Sequence, residues 1–175
     1  ELEMIDPTNG KTLESVGQIA IYPANLHLMP KDKMAEILFT IQDELKAQVD
    51  YFNRQGKILE AKRIEERVNF DLEMIRELGY CSGIENYSRF FDFREKGTRP
   101  FCLLDYFPDD FLLVVDESHV TMPQVSGMHG GDRSRKTNLV EHGFRLPSAI
   151  DNRPLNFNEF NQLIHQVVFV SATPA

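Results

Sequence analysis

The sequence has few cysteines and no hydrophobic stretch long enough to cross a membrane. Its two cysteines, Cys81 and Cys102, do not form a CxxC pair, and its five histidines are scattered. A membrane-spanning helix needs about 20 consecutive apolar residues, and neither such a run nor a secretory signal is recognisable. These absences argue against a membrane protein, a disulfide-stabilised secreted protein and a structural zinc site. They predict a reduced, cytoplasmic protein.

The chain also lacks an excess of positive charge. Its 175 residues include 19 Lys or Arg and 27 Asp or Glu, which gives a formal net charge of −8. Proteins that bind nucleic acid through their overall charge are usually basic. Any contact with DNA must therefore be made by a local group of residues. The length allows one domain or two small ones.

A complete phosphate-binding loop is missing as well. The string GKT at 10–12 resembles the end of the Walker A motif GxxxxGK[ST], but Ile5 stands where the first glycine should be. Strand-like segments flank this string, and Pro7 and Gly10 favour a turn between them, so residues 1–23 are predicted to form a β-hairpin. A phosphate loop opens a helix instead. Lys11 is therefore not expected to bind phosphate.

The functional interpretation depends on the string FLLVVDESH, residues 111–119. An apolar run without alternation predicts a strand buried on both faces, as in a parallel sheet. Ligands of open α/β sheets bind at the carboxyl ends of strands, where this sequence has Asp116 and Glu117. Such a pair suits nucleotide hydrolysis: Asp116 would hold Mg²⁺, and Glu117 would act on the attacking water. The alternative is that both acids simply end a buried strand.

A second apolar run, Val167 to Val170, ends in the small polar residues Ser171 and Thr173. Two strands of this design are predicted to be neighbours in one sheet. DESH followed by SATP resembles motifs II and III of superfamily 2 helicases, in which the nucleotide site communicates with the DNA. Ser171 and Thr173 are therefore candidates for binding ATP and for coupling. His119 would connect the acids to this second motif; the alternative is a hydrogen-bonded core histidine.

Two amphipathic helices are predicted between these regions. Apolar residues recur at three- and four-residue spacing, Gly56 separates the two helices, and Gly79 ends the second. The apolar positions are Met34, Ile37, Leu38, Ile41, Leu45, Val49 and Phe52, then Ile58, Ala61, Ile64, Val68, Leu72, Ile75 and Leu78. The mixed charges on the opposite faces predict that these faces contact solvent. The two helices are therefore predicted to form an antiparallel pair with a structural role in packing.

Two further segments allow more than one interpretation. Residues 87–107 combine aromatic and cationic side chains, which can stack bases but are more often buried core. The segment after DESH contains three glycines and a basic cluster: Gly127, Gly130, Gly131, Arg133, Arg135 and Lys136. A glycine loop and guanidinium groups would suit phosphate. The alternative is a solvated loop followed by a helix that Asp132 caps.

Several longer strings point to one family. They are GIENYSR (83–89), LLDYFPDDF (103–111), DESHVTMPQ (116–124), GDRSRK (131–136), GFRLPSAIDNRPL (143–155) and VSATP (170–174). Together they resemble an internal piece of the UvrB family, the damage-verifying component of the bacterial UvrABC excinuclease. FFDFREKGT at 90–98 departs from the family's Pro/Gly-rich version and is interpreted as a variable loop.

The resemblance implies an α/β fold: a partial P-loop NTPase (RecA-like) domain with a helical insertion and a β-hairpin from the UvrA-docking domain. Residues 1–24 would end the docking domain. Residues 25–110 would form the helical insertion with its antiparallel pair, and 111–175 would form a partial motor segment carrying DESH and SATP.

The resemblance also implies nucleotide excision repair. Proteins of this family receive damaged DNA from UvrA, test it with weak DNA-dependent ATP hydrolysis that needs Mg²⁺, and pass it to UvrC. Gln124, Phe144 and Arg145 match positions along the DNA path, and Glu85 matches a residue that holds the DNA-clamping hairpin. Without a phosphate loop, the isolated chain is expected to be inactive. Alternatives from other classes are a non-catalytic protein-interaction scaffold and a generic superfamily 2 DNA helicase.

Overall fold

The computed structural model of the chain describes residues 2–19 and 32–173. In chain order, the helices and strands are β1 (Leu2–Ile5), β2 (Thr12–Val16), α1 (Met34–Arg54), α2 (Ile58–Leu78), α3 (Ser88–Phe91), β3 (Leu112–Val115), α4 (Ser118–Glu141), α5 (Phe157–Leu163) and β4 (Gln166–Phe169). Short 3₁₀ helices lie at Ile84–Tyr87, Leu103–Tyr106 and Pro147–Asp151. The described residues thus combine helices with two small sheets, in agreement with the predicted α/β class.

The predicted β-hairpin is present. β1 pairs antiparallel with β2, with Leu2 opposite Val16. In the turn, the Gly10 amide donates to the Asp6 carbonyl at 2.8 Å, and Gly10 has a φ of 70°, which favours glycine. Lys11 follows this turn and leads into a strand, so it has none of the helical context of a phosphate loop. The remainder of the predicted 1–24 segment, from residue 20 onward, lies outside the described residues.

Helices α1 and α2 form the predicted antiparallel pair, and the main core lies between them. The buried side chains of the pair are Ile37, Leu38, Ile41, Leu45, Phe52, Ala61, Ile64, Val68, Leu72 and Ile75. All of them belong to the two predicted apolar stripes, of which Met34 and Val49 are only partly buried. Ile58 and Leu78 are 60% and 68% exposed because they lie at the first and last positions of α2.

The aromatic segment divides between core and surface. Tyr87, Phe90 and Phe91 are buried against the helix pair. The Tyr87 hydroxyl donates to the buried Asp71 carboxylate at 2.8 Å, and burial raises the pKa of Tyr87. Toward the end of residues 87–107 the side chains are no longer buried: Phe101, Leu103 and Tyr106 are exposed. The core interpretation is therefore confirmed only for the first part of the segment.

The two strands with polar ends are parallel neighbours, as predicted. Leu112 lies opposite Gln166, and Val115 lies opposite Phe169. The prediction that the first strand is buried on both faces is wrong for this chain, because Val115 is the only buried residue of β3 and all of β4 is exposed. Within the described residues this sheet consists of two strands, too few to be covered on both faces.

The glycine-containing segment after DESH is helical, so the predicted glycine loop is wrong. Helix α4 runs through Pro123 and all three glycines. Asp132 therefore lies inside the helix and does not cap it; its carboxylate contacts Arg135 at 3.0 Å and Lys136 at 2.8 Å. Lys136 is buried and also donates to the Asn152 carbonyl. Ion pairs one turn apart support a helix, and these pairs offset part of the weak helix propensity of glycine.

Helix α5 begins with a capping box. The Asn156 side chain accepts from the Glu159 amide at 2.9 Å, and Glu159 accepts from the Asn156 amide at 2.9 Å. Arg153 binds both Glu159 oxygens, at 2.7 and 2.8 Å. These hydrogen bonds, led by those from Arg153, lower the pKa of Glu159 to about 2. The carboxylate therefore stabilises the start of α5 in its ionised form.

We expect Glu159→Gln to lower the free energy of unfolding by about 1 kcal/mol at pH 7. A depressed folded-state pKa contributes stability that is present above the unfolded pKa and is lost as pH falls through the folded one. The difference between native and variant chains should therefore shrink between about pH 4.5 and pH 2. Urea unfolding across this range, with the exposed Glu65→Gln as control, measures it. A difference independent of pH would contradict the assignment.

Candidate functional site

The ends of β3 and β4 bring the two predicted motifs together. Beyond the paired strands, the Val170 amide donates to the Val115 carbonyl, and the Ser118 amide donates to the Val170 carbonyl, both at 2.9 Å. Asp116 and Glu117 lie at this edge, between β3 and the first turn of α4. Glu117 has a φ of 46°, a left-handed conformation that is uncommon for residues other than glycine. This sharp turn leaves both acids exposed.

His119 joins the two motifs. Its Nδ1 atom lies 2.9 Å from the Ser171 hydroxyl and 3.3 Å from a Glu117 carboxylate oxygen. The Thr173 amide in turn donates to the Ser171 hydroxyl at 3.2 Å. The side chain of His119 is exposed, so the alternative of a core histidine is wrong. The imidazole therefore contacts an acid that follows one strand and a hydroxyl that follows the other.

The acids at this edge fit a magnesium ion that is held largely through water. Mg²⁺ prefers oxygen ligands and usually keeps several waters, with one or two carboxylates and substrate phosphates. Asp116 and Glu117 supply two exposed carboxylates, and one Asp116 oxygen already accepts the Glu117 amide at 2.8 Å. In the part of the chain that the structure describes, no three His, Cys, Asp or Glu side chains converge on a metal site. The donors suit Mg²⁺ bound together with phosphate.

A second cluster lies beyond the other end of α4. Glu85 and Arg145 approach the same point: a Cβ placed on Gly83 would lie 3.7 Å from Arg145 Nη2 and 3.9 Å from Glu85 Oε1. Arg145 Nη1 donates to the Phe144 carbonyl at 2.9 Å, and Phe144 is 44% exposed. The structure thus brings together three of the four predicted DNA-binding residues.

Gln124 lies apart from this cluster. It is an exposed residue near the start of α4. At 1.5 Å rise per residue, it is roughly 25 Å along the axis from the end of the helix that leads to Phe144. Gln124 is therefore nearer to the acids than to the second cluster. A DNA strand that contacted both Gln124 and the second cluster would have to run along α4.

One residue of the second cluster has no signal in the sequence. The Arg63 guanidinium lies 4.3 Å from the centroid of the Phe144 ring, and its Nη1 donates to the His142 carbonyl at 2.5 Å. Arg63 belongs to the charged face of α2, where the residue pattern predicts only contact with solvent. Its partners are distant in the chain, so helical periodicity could not have identified them.

Cys81 is not a candidate nucleophile. It is fully buried, and burial raises the pKa of its thiol to about 12. A thiol of this kind is protonated and inert at neutral pH.

No helix within residues 2–19 and 32–173 combines the length and apolarity needed to span a membrane.

These features define a mixed α/β chain in which a helical hairpin domain stands beside a pair of parallel strand ends. Residues 32–93 match the family model of the UvrB third helical domain. That match lies inside the predicted 25–110 helical insertion, whose boundaries remain a prediction.

The chain is 60% identical over 174 residues to UvrABC system protein B of Cytophaga hutchinsonii and 59% identical over 174 residues to that of Bacteroides fragilis. It is 56% identical over 170 residues to that of Natranaerobius thermophilus. These alignments cover 97 to 99% of this chain but only 26% of each relative. The predicted resemblance to UvrB is therefore confirmed, and the chain spans about a quarter of the length of these relatives.

Proposed function

We propose that this chain is part of the damage-verifying component of a nucleotide excision repair excinuclease. In the intact protein it would bind ATP, Mg²⁺ and DNA, receive damaged DNA from UvrA, and hand it to UvrC in the cytoplasm. The observation that carries the proposal is the contact of His119 with both Glu117 and Ser171. An acid pair alone is a common strand ending, whereas an acid pair connected to a second polar strand end is an arrangement that can sense a nucleotide.

The residues of this edge have separate roles in the proposal. Bound Mg²⁺ would neutralise the charge that develops on the transferred phosphoryl group. Asp116 would orient the ion through its water shell, and Glu117 would orient the attacking water and accept its proton. Ser171 and Thr173 would bind ATP and couple the site to DNA. The chain has no GxxxxGK[ST] loop, so by itself it should not turn over ATP.

The second cluster would bind the DNA. An exposed aromatic ring can stack an unpaired base whatever its sequence, which is the proposed role of Phe144. Arg145 would hold the adjacent phosphate with its guanidinium group. Glu85, beside Arg145, would keep the DNA-clamping hairpin in position, and Gln124 would contact the strand farther along α4. Such local contacts suit a chain whose net charge is −8.

The proposal predicts that a full-length protein containing this chain incises lesion-bearing duplex when UvrA, UvrC and ATP are added. Asp116→Asn should reduce the incision rate by about 100-fold, because the amide binds Mg²⁺ less well than a carboxylate. Asp109→Asn is the matched control, since Asp109 is also exposed but precedes β3. Incision that needs no ATP, or that survives Asp116→Asn unchanged, would favour the scaffold alternative.

A further inference from the structure

A residue of helix α2, Arg63, contacts the Phe144 ring although the two residues are far apart in the sequence. Arg63 makes two contacts here. Its guanidinium lies over the ring, 4.3 Å from the ring centroid, and its Nη1 donates at 2.5 Å to the carbonyl of His142, two residues before Phe144. A planar guanidinium stacks well on an aromatic face. Arg63 thus contacts both the Phe144 side chain and the backbone that precedes it.

Other parts of α2 and the residue before it hold the same segment. Lys57 donates to the Glu141 carbonyl at 3.4 Å, so two cations meet the last carbonyls of α4, where the helix dipole favours positive charge. The Gly143 backbone lies against the backbone of Glu60, with no room between them for a side chain. These contacts leave the segment before Phe144 little freedom to move.

We propose that Arg63 is a positioning residue for DNA binding. It covers one face of the Phe144 ring and presents the other to an unpaired nucleobase, while Arg145 holds the phosphate of the same nucleotide. This inference rests on the proposed function, in which Phe144 stacks on DNA. Arg63 itself touches no phosphate, because its guanidinium is engaged by the ring and by the His142 carbonyl.

The test uses the full-length protein and a single-stranded oligonucleotide that carries the fluorescent base 2-aminopurine. Arg63→Ala should weaken binding about fivefold to tenfold, because it removes one cation–π contact and frees the ring. It should also reduce the quenching of the base by stacking. Arg63→Lys, which keeps a cation and a donor but not the planar guanidinium, should restore only part of the affinity. Lys62→Ala is the matched control, since Lys62 is an exposed neighbour that forms its ion pair with the exposed Glu66.

The salt dependence of binding separates positioning from direct contact. The logarithm of the affinity falls with the logarithm of salt concentration in proportion to the number of phosphate contacts. Arg63→Ala should leave this slope unchanged, whereas Arg145→Ala should reduce it by about one. A reduced slope for Arg63→Ala would assign the residue to phosphate binding and overturn the proposal.

Phe144→Ala distinguishes failure of the inference from failure of the proposed function. If Phe144→Ala leaves the affinity unchanged, DNA does not stack on this ring and the proposed DNA site is wrong. If Phe144→Ala weakens binding but Arg63→Ala does not, only the inference is wrong. Tighter binding of Arg63→Ala would mean that the guanidinium competes with the base, which also overturns it. Should Arg63→Ala unfold the protein, Arg63→Met keeps the stem without the charge and decides by the same criteria.

Discussion

Glu117→Gln should reduce DNA-stimulated ATP turnover of a full-length protein containing this chain by a factor of about 10² to 10³. The amide keeps the size and shape of the side chain but cannot accept a proton from water. Because Glu117 is exposed at the start of α4, the substitution should not disturb folding. Binding of ATP and DNA should persist, so the loss should appear in kcat and not in the affinity for either ligand.

Single-turnover ATP hydrolysis in the presence of UvrA and lesion-containing duplex measures this loss directly. Glu141→Gln is the matched control: the same change at an exposed acid at the far end of the same helix. It should retain native turnover. Unchanged turnover in Glu117→Gln would mean that Glu117 only ends a strand, and the scaffold alternative would gain. Loss of ATP binding together with turnover would instead indicate a role in holding the nucleotide.

The elements that the sequence predicts well are those whose pattern is local. The apolar stripes of α1 and α2 repeat every three to four residues, which is the period of a helix face, and the structure buries most of their members. The hairpin at β1 and β2 follows from a turn sequence between two strand-like runs. The pairing of β3 with β4 follows from two similar strands that end alike, although the prediction that the first strand is buried on both faces was wrong.

The errors arose where particular side-chain contacts, some local and some between distant residues, decide the structure. Three glycines predict a loop after DESH, but Asp132 pairs with Arg135 and Lys136, and Lys136 is buried against the carbonyl of Asn152. Arg63 and His142 are 79 positions apart, so no periodicity relates them.

The largest effect on stability is expected for Gly143→Ala. Gly143 follows the last turn of α4 with a φ of 71°. Its amide donates to the Val140 carbonyl, and the next amide, that of Phe144, donates to the Leu139 carbonyl, the pattern in which a left-handed glycine ends a helix. A Cβ at this position would lie 2.5 Å from the Glu60 carbonyl oxygen and 2.9 Å from its Cα. Both atoms are backbone, so no side-chain rotation can relieve the overlap.

Gly79→Ala is the control that isolates this overlap. Gly79 also has a φ of 71° and also follows a helix, but a Cβ there would meet nothing within 4 Å. Gly79→Ala should therefore cost only the strain of the left-handed conformation, about 1 kcal/mol. Gly143→Ala should cost about 3 to 5 kcal/mol, because α2 and the end of α4 must also move apart. Urea unfolding of both variants followed by circular dichroism measures the difference.

The same pair of variants tests whether the contact between α2 and α4 supports DNA binding. Gly143 is the residue before Phe144. Separating the two helices at Gly143 would therefore move Arg63 away from the Phe144 ring. Gly143→Ala in the full-length protein should therefore weaken single-stranded DNA binding at least as much as Arg63→Ala, at temperatures where the variant remains folded. Gly79→Ala should bind like the native protein, because Gly79 lies at the far end of α2. Equal affinities for the two glycine variants would mean that the α2–α4 contact serves stability alone.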